Sequence, residues 1–531
     1  MQPNFLFIIT DQHRADHLGC YGNPIVRTPN IDRIAARGWR ARRFYVANPA
    51  CMPNRSTLMT GRMPSVHRVR SNGIPLSLGA TTFVELLRAA GYATVSSGKI
   101  HLQPMLGEAP LLRRKDPGGL VAPPPALGDA WHLGAADGPY DQECIDRWRD
   151  DPEHDLELPY YGFEEVHLTM MHADGVHGHY GRWLEARHPG SRSIVGRGNA
   201  LPGSDPGALQ AWRTAVPEEL YSTSYIREQA IGFLERHAAG ASGKPFFLHC
   251  SFNDPHHPFT PPGRYWDMYD PDDIPLPAAF APNVGEVPPP VRHLIAERDA
   301  GRQDRDSWLP QAVLERDVRE AIARTYGSIT MIDDAIGAIL QALERLGLHR
   351  DTVIVFTSDH GDYMGDHQLL LKGPIHYDGL IRVPFIWSDP RSDVRGVASD
   401  ALGGTLDIGA TILARAGLAP FHGMQGRDLL PVISGEAPGR PAVLVEEDNQ
   451  RAFLTFERPV RLRTLVTDRW RLSVYRGVDW AELYDLQEDP LELHNRWNDP
   501  SLAGIQSELL RQLVQTMEEF ADDSPLPTAR A

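Results

Sequence analysis

Cys51 and Arg55 are the two residues of this sequence whose types and spacing are most suggestive of chemistry. The thiol precedes the guanidinium by four positions, Pro53 lies between them, and a helix is predicted to run from here into Gly61. A helix N-terminus and a fixed positive charge both lower the pKa of a thiol and favour bound anions. The alternative is a buried, inert cysteine, which is the commoner state of a lone cysteine. The pair predicts a reactive side chain in a site for anions.

Two further pairs, Asp11-Gln12 and Asp359-His360, combine side chains that bind cations. Each pair follows an apolar run that predicts a buried strand. Because ligands of open α/β sheets collect outside the carboxyl ends of the strands, both pairs are expected close to Cys51. Two carboxylates, an amide oxygen and an imidazole suit a divalent metal. Asp11 taken alone is better explained as a helix cap or turn former, so the predicted metal site depends on the combination.

Alternating strand and helix patterns position these residues. The apolar runs typical of strands buried on both faces are Phe5–Thr10, Pro245–Phe252, Thr352–Thr357 and Val383–Trp387. Helical spacing of apolar residues covers Thr81–Ala90 and a long segment from Ile322 to Leu343. This alternation predicts an α/β fold with a largely parallel sheet covered by helices.

The chain of 531 residues exceeds the usual size of one compact domain. We predict a catalytic α/β domain over residues 1–435, with loop-like insertions at about 104–220 and 255–310 that are rich in proline and glycine or acidic residues. Residues 436–531 predict a small α+β subdomain with a small antiparallel sheet and a terminal helix near residues 505–520.

Composition restricts the partners and the compartment. A net charge of −16 argues against a general binder of nucleic acid or of anionic membranes, since such binding needs a basic surface. The four cysteines are scattered and lack CxxC spacing, so reduced thiols are expected rather than disulfides or a zinc knuckle. The apolar runs are too short to cross a membrane, and the N-terminal residues lack the pattern of a secretory signal. The sequence predicts a cytoplasmic protein and leaves a homo-oligomer open.

The order of several motifs resembles the formylglycine-dependent sulfatases of the alkaline phosphatase superfamily, over nearly the whole chain. Cys51–Arg55 with the trailing Thr60-Gly61 resembles the sulfatase signature, and Asp11-Gln12 and Asp359-His360 resemble the two metal-binding stretches. The other matching segments are Thr28–Asp32, Ser97–Leu102, the Pro-His-x-Pro turn in Pro255–Phe259, Lys372, Glu482–Leu486 and Asp489–Asn495. The resemblance implies an alkaline phosphatase-like three-layer α/β/α sandwich.

The same resemblance implies a mechanism. Cys51 would be oxidised to formylglycine by a maturation enzyme, and the hydrated aldehyde would attack the sulfur of a small sulfate monoester. The implied metal ligands for one divalent cation are Asp11, Gln12, residue 51, Asp359 and His360. The implied catalytic residues are Cys51, Arg55, Lys99, His101, His256 and Lys372, and the implied substrate-binding residues are Asn72, Lys99, His256 and Lys372. His256 would protonate the departing alcohol, and His101 would take the proton of the second hydroxyl so that sulfate leaves.

Departures from the common pattern leave alternatives open. Gln12 and His360 stand where many sulfatases carry Asp and Asn, which is similar to choline sulfatases and phosphonate monoester hydrolases. A nitrogen ligand makes manganese an alternative to calcium. Asn72 also resembles an active-site residue of the phosphonate hydrolases, whereas Lys99 and His101 favour a sulfatase. The competing hypotheses are a phosphonate monoester hydrolase or phosphodiesterase, and an inactive homologue that serves as a scaffold.

Other histidines are expected to be structural. Their spacing does not suit a metal site on one helix face, so pocket lining or loop packing is predicted for His167, His172, His177 and His179. His13 and His17 are expected at the surface.

Overall fold

The computed structural model describes residues 2–107, 138–203, 209–240, 243–280 and 287–529. Its strands are β1 (Asn4–Thr10), β2 (Trp39–Ala41), β3 (Phe44–Tyr45), β4 (Ala93–Gly98), β5 (Glu165–Met170), β6 (His177–Gly178), β7 (Phe246–Ser251), β8 (Gln311–Ala312), β9 (Thr352–Ser358), β10 (Leu369–Leu370), β11 (Phe385–Ser388), β12 (Val397–Ser399), β13 (Gly403–Gly404), β14 (Ala442–Asp448), β15 (Arg461–Thr467), β16 (Trp470–Tyr475) and β17 (Ala481–Asp485).

The α-helices of the described residues alternate with these strands through most of the chain. They are α1 (Pro29–Ala36), α2 (Cys51–Thr60), α3 (Pro64–His67), α4 (Phe83–Ala89), α5 (Ile145–Asp150), α6 (His179–Arg187), α7 (Ser222–Ala239), α8 (Pro289–Asp299), α9 (Glu315–Arg345), α10 (Asp378–Ile381), α11 (Ile408–Ala416), α12 (Leu430–Ile433) and α13 (Ala503–Glu519). In the described parts of the chain, no helix combines the length and apolar character that a membrane span requires.

A nine-stranded sheet lies at the centre, in the order β12-β2-β11-β9-β1-β7-β4-β5-β6. The neighbours β9, β1, β7, β4 and β5 are parallel, which confirms the predicted parallel core. The last of the four predicted strands is shorter than expected, beginning at Phe385, and β11 runs antiparallel to β9. Its carboxyl end, Ser388, lies beside Ile354, so it points away from the edge where β9 ends.

Both faces of the sheet are covered by helices, which makes the fold the predicted three-layer α/β/α sandwich. Successive residues of a strand point to opposite faces, and β1 divides accordingly: Phe5, Phe7 and Ile9 join one core, while Leu6 and Ile8 join the other. Side chains of α4 and α11 pack into the first core, and those of α1, α7 and α9 into the second.

The predicted C-terminal subdomain is present as an antiparallel sheet, β14-β15-β16-β17, with α13 packed against it. Leu444, Leu465, Leu472 and Leu483 from the four strands share a core with Leu509 of the helix. The division of the chain at residues 435 and 436 stays a prediction.

The insertions contain more regular structure than expected. Helix α8 lies within 255–310, where the prolines were interpreted as loop formers. Pro289 and Pro290 occupy the first turn, where a missing N–H costs nothing, and Val291, Leu294 and Ile295 form the buried face. The insertion at 104–220 contains α5, β5, β6 and α6. Parts of both insertions, 108–137, 204–208 and 281–286, lie outside the described residues.

Candidate active site

Four parallel strands end level at one edge of the main sheet. Their terminal pairs are Thr10 with Ser358, Ile9 with Ser251, and Ser251 with Gly98. Asp11, Asp359 and Lys99 directly follow β1, β9 and β4. The level strand ends therefore bring side chains from distant parts of the sequence to one place, as the fold class predicts.

Helix α2 adds Cys51 and Arg55 to this edge. Cys51 is its first residue, every residue of the helix is buried, and the helix ends at Gly61 in the left-handed conformation, with φ of +62°. Residues four apart lie on one face of a helix, so the thiol and the guanidinium share a face. The backbone amides at the first turn of α2 have no partners within the helix, which favours a negative group near Cys51.

Arg55 is a buried connector among the strand ends. Its Nε donates to Asp359 Oδ2 at 2.8 Å, one terminal nitrogen donates to Asp11 Oδ2 at 3.4 Å, and the other donates to Ser251 Oγ and to the carbonyl of Lys99, both at 2.9 Å. All three guanidinium nitrogens of Arg55 therefore donate hydrogen bonds, and together these bonds fix the orientation of its side chain. Removing either carboxylate would leave a buried charge with fewer partners.

Oxygen, sulfur and nitrogen ligand atoms converge beside Arg55. One ligand atom each from Asp11, Cys51, Asp359 and His360 lies within 4.8 Å of all the others. His360 Nε2 is 3.7 Å from Asp11 Oδ1 and 3.8 Å from Asp359 Oδ1. Burial and the neighbouring Cys51 oppose ionisation of Asp11, but the charge of Lys99 and the contact with His172 outweigh them, and its pKa lies well below the ordinary value.

Gln12 has the features of a further ligand. Its backbone adopts φ of +61°, its N–H donates to Asp359 Oδ1 at 3.1 Å, and its side-chain nitrogen donates to Asp362 Oδ2 and lies 2.9 Å from His257 Nδ1. Its Oε1 is buried with no partner among the described residues. A buried acceptor is normally satisfied, so this orphaned oxygen fits a bound cation, as do the hard oxygen donors beside it.

The Cys51 thiol lies among positively charged groups. Its Sγ is 3.1 Å from His360 Nε2, 3.3 Å from Lys372 Nζ and 3.8 Å from Asp11 Oδ1. Burial alone would raise the pKa of this thiol, but Lys372, Lys99 and His360 outweigh burial and lower it well below the usual value. Position 51 therefore favours negative charge.

Lys99 and His101 lie on the segment that leaves β4. The ammonium of Lys99 donates to Asp11 Oδ2 and lies 2.6 Å from His172 Nε2. The turn that carries His101 is held by Glu143, a buried carboxylate that accepts from the backbone N–H groups of His101 and Leu102, each at 2.8 Å. Burial and the charge of Lys99 lower the pKa of His101 to about 3, so its ring is neutral.

His256 and Lys372 lie next to each other in the site. Lys372 Nζ lies 3.0 Å from both His256 Nε2 and His360 Nε2. Burial, His172 and Lys372 together lower the pKa of His256 well below its ordinary value, so the free site holds a neutral ring. Asn72 accepts from the backbone N–H of Met52 at 3.1 Å through Oδ1.

A cavity of about 250 Å³ opens beside Lys372 and Asn72. Its other walls come from residues 48–50 before α2, from the insertion, including Trp308, and from the C-terminal subdomain, including Glu447 and Phe453. The cavity has room for a small group attached to an anion held at Lys372.

The structure brings all the predicted site residues to this edge, but the prediction for His13 and His17 needs correction. His13 and His17 were expected at the surface and are buried, at 0% and 6% exposure, because the ring of His13 packs on Phe356 and that of His17 on Tyr326. Two of the four histidines for which pocket lining or loop packing was predicted have nearby carboxylate partners: His167 contacts Glu165, and His179 contacts Asp155. His172 lines the site, where its Nε2 lies 2.6 Å from Lys99 Nζ.

Sequence reasoning missed two contributors, Glu143 and Ser251, and left His172 between pocket lining and loop packing. Glu143 lies in an insertion, and no local pattern marks the three backbone N–H groups, those of residues 101–103, to which it binds. Ser251 is the last residue of β7 and lies at the same edge as the predicted residues. Its position at a strand end could have identified it as a site residue. His172 closely follows the end of β5, which would likewise have separated it from the other three histidines.

Comparison with family models matches most of the chain. Residues 3–110 and 160–418 match the model described as Sulfatase, and residues 365–519 match the model described as N-sulphoglucosamine sulphohydrolase, C-terminal. The two matches overlap where the last strands of the main sheet lead into the C-terminal subdomain.

Individual relatives span the whole chain. The multifunctional alkaline phosphatase superfamily protein PehA of Trinickia caryophylli is 28% identical over 98% of this chain and 96% of its own length. An arylsulfatase of Clostridium perfringens is 28% identical over 99% of this chain and 97% of its own length. The crystal structure of a phosphonate monoester hydrolase of Agrobacterium radiobacter superposes with a TM-score of 0.75 and 27% identity, over 98% of this chain and 97% of that one.

Proposed function

Because this chain belongs to the sulfatase family, a group of sulfuric ester hydrolases in the alkaline phosphatase superfamily, we propose that it hydrolyses a small sulfate monoester at the sheet edge, with formylglycine at residue 51. The observation that carries the proposal is the surplus of positive charge around Cys51. Lys99, Arg55 and Lys372 provide three cationic groups against the two carboxylates of Asp11 and Asp359. Such a site favours an anionic substrate next to the nucleophile.

We assign the metal site to Asp11, Gln12, Asp359, His360 and the side chain of residue 51. Its donors suit one divalent cation, and the imidazole of His360 favours manganese over calcium. When bound, the cation would supply Lewis acidity that lowers the pKa of the attacking hydroxyl and neutralises charge on the sulfuryl oxygens. The carboxylates of Asp11 and Asp359 are held in position for it by Arg55 and Lys99.

Formylglycine would supply two hydroxyl groups on one carbon once it is hydrated: one to attack sulfur and one through which sulfate is expelled. Cys51 opens α2 between Lys372 and His360, so the attacking oxygen would start among donors. Lys99, which contacts Asp11, and Lys372, which contacts Cys51, would hold the sulfuryl oxygens, while Asn72 lies beside the cavity for the alcohol. The negative charge of the reacting group is thereby matched by fixed donors.

His256 and His101 would move the protons. Lys372 contacts His256 Nε2, and the negative charge of a bound ester would oppose the depression of the pKa of His256 that burial and Lys372 produce. We therefore assign protonation of the leaving alcohol to His256. We assign the proton of the second hydroxyl to His101, which contacts position 51. Its ring is neutral in the free site, and negative charge at position 51 opposes the depression of its pKa by burial and Lys99.

Phosphonate monoester or phosphodiester hydrolysis is the second candidate. It is favoured by the match to the phosphonate monoester hydrolase structure, together with Gln12, Asn72 and His360 in the site. Lys99 and His101 favour the sulfatase.

The two candidates differ in an initial-rate comparison. Purified protein should hydrolyse p-nitrophenyl sulfate with a kcat/KM at least about tenfold above that for p-nitrophenyl phenylphosphonate, a difference of about 1.4 kcal/mol in transition-state binding. Bis-p-nitrophenyl phosphate serves as the diester reference. Much faster cleavage of the phosphonate would reverse the assignment, and no hydrolysis of any of the three by metal-loaded protein with formylglycine in place would favour a scaffold.

The remaining features of the proposal concern the surroundings of the enzyme. None of the four cysteines, all of which are described, forms a disulfide, which agrees with a reducing compartment, and we place the protein in the cytoplasm. The proposal requires a formylglycine-generating enzyme as a partner. A homo-oligomer stays open.

A further inference from the structure

His172 forms one end of a stack of three imidazole rings. Its ring lies face to face with that of His256, with centroids 3.5 Å apart and planes 8° apart, and His256 lies on His257 at 4.1 Å and 25°. Trp308 lies 5.1–6.1 Å from all three rings. We call His172, His256 and His257 the histidine stack.

Each ring of the stack contacts a different polar group of the site. His172 Nε2 lies 2.6 Å from Lys99 Nζ, His256 Nε2 lies 3.0 Å from Lys372 Nζ, and His257 Nδ1 lies 2.9 Å from Gln12 Nε2. The stack therefore connects both lysines with the amide of the metal site. Only His256 among the three was predicted to act in catalysis.

The hydrogen positions on His172 follow from its partner. A charged ammonium has no lone pair and can only donate, so His172 Nε2 accepts from Lys99 and the ring proton lies on Nδ1. That Nδ1 is buried with no partner among the described residues. The contact with Lys99 thus orients the ring, although it leaves the Nδ1–H group of His172 as a buried donor without a described partner.

The backbone around His172 is also held in an unfavourable shape. Met171 and Ala173, on either side of it, adopt φ of +66° and +58°, a region that residues with a Cβ rarely occupy. Asn253 fixes this turn, because its Nδ2 donates to the carbonyl of Met171 at 2.7 Å and its Oδ1 accepts from Thr169 at 2.6 Å. Strain of this kind persists where the surroundings impose it, and it concentrates at functional sites.

A second cation between Asp11 and His172 is an alternative use of these atoms, since Asp11, Cys51, His172 and His256 offer ligand atoms within 4.8 Å of one another. Lys99 argues against it. Its ammonium contacts both Asp11 Oδ2 and His172 Nε2, so a fixed positive charge already bridges the carboxylate and the imidazole.

We propose that His172 is a positioning residue, which fixes the ammonium of Lys99 through Nε2 and the ring of His256 through stacking. This role deepens the proposed function and rests on it, because Lys99 and His256 are the groups assigned to the sulfuryl oxygens and the leaving alcohol. Loss of the acceptor at His172 leaves Lys99 with Asp11 as its remaining described side-chain partner, and the lysine can then turn away from the anion.

Two substitutions separate the two contacts. His172→Phe keeps a ring for the stack and removes the acceptor, whereas His172→Gln keeps an acceptor oxygen and removes the ring. We expect His172→Phe to lower kcat for p-nitrophenyl sulfate at least tenfold and to weaken binding of inorganic sulfate, measured by calorimetry, by a similar factor. His172→Gln should recover part of the sulfate affinity. His177→Phe, at an exposed histidine of β6, is the control and should stay within twofold of the parent in both measurements.

A double-mutant cycle distinguishes positioning from packing. In a Lys99→Met background, His172→Phe should change the sulfate affinity less than twofold, since the group that it positions is gone. Thermal melting reports whether each variant is folded. An unchanged kcat and sulfate affinity in folded His172→Phe would overturn the proposal, and so would an equal loss with and without Lys99. If the parent protein neither binds nor hydrolyses sulfate esters, the proposed function fails instead.

Discussion

Cys51→Ala should lower kcat/KM for p-nitrophenyl sulfate by about 10⁵-fold or more, which is the scale of loss when a covalent nucleophile is removed from an enzyme. Alanine has neither a thiol to oxidise nor a hydroxyl to attack sulfur. The remaining groups, Lys99, Lys372 and Arg55, would still bind the anion. Sulfate affinity measured by calorimetry should therefore fall much less than the rate.

Cys250→Ala is the matched control for this substitution. Cys250 is also a buried free thiol, and its side chain packs in the apolar core beneath the sheet edge. Burial raises the pKa of its thiol, so it has no tendency to ionise. The control should retain activity within twofold. Rates for Cys51→Ala within tenfold of the parent would exclude residue 51 as the nucleophile.

Asp359→Asn should lower kcat/KM by about 10³-fold or more, because one change removes a predicted metal ligand and the principal partner of buried Arg55. The amide keeps the size of the side chain but cannot supply the charge. Elemental analysis of the purified parent should give one divalent metal per chain, and the variant should lose most of it.

Asp389→Asn tests whether such losses are specific. Asp389 is likewise a buried carboxylate paired with an arginine, Arg415, but it follows β11 at the opposite edge of the sheet. The Asp389→Asn substitution should lower the melting temperature, while the metal content and kcat/KM stay within twofold of the parent values. Full metal content in folded Asp359→Asn would contradict the assigned metal site.

The fold could be predicted from the sequence because its central strands are unusually clear. β1, β7 and β9 are buried on both faces, so they read as continuous apolar runs, and the alternation with helices specifies parallel pairing. The direction of strands at the margin of the sheet was harder to predict from the sequence. β11 has the same apolar character as β1 but runs antiparallel to β9. Side-chain burial does not depend on strand direction, so the apolar pattern could not predict this direction.

The residues now gathered at the sheet edge were predictable where they stand next to a strand end or a helix start. Asp11, Asp359 and Lys99 owe their placement to the level ends of β1, β9 and β4, which topology specifies. Cys51 and Arg55 owe theirs to helical spacing within α2. In these cases local sequence and fold class together are sufficient.

The roles of Glu143 and His172 in the site escaped prediction, because both roles depend on turns that have no periodic sequence pattern. Glu143 binds three backbone N–H groups of residues 101–103, and backbone groups carry no sequence signal. His172 depends on left-handed conformations at Met171 and Ala173, which neither residue type favours. The burial of His13 also escaped prediction, because it depends on a contact with Phe356, which is distant in the sequence.

Mass analysis of the peptide that contains residue 51, from active protein produced in its native host, tests the central claim most directly. Conversion of the cysteine CH2–SH group to an aldehyde exchanges sulfur and hydrogen for oxygen and gives a defined mass deficit, and the aldehyde reacts with hydrazine reagents. We predict formylglycine at position 51 in active protein. An unmodified cysteine in protein of full sulfatase activity would contradict the account.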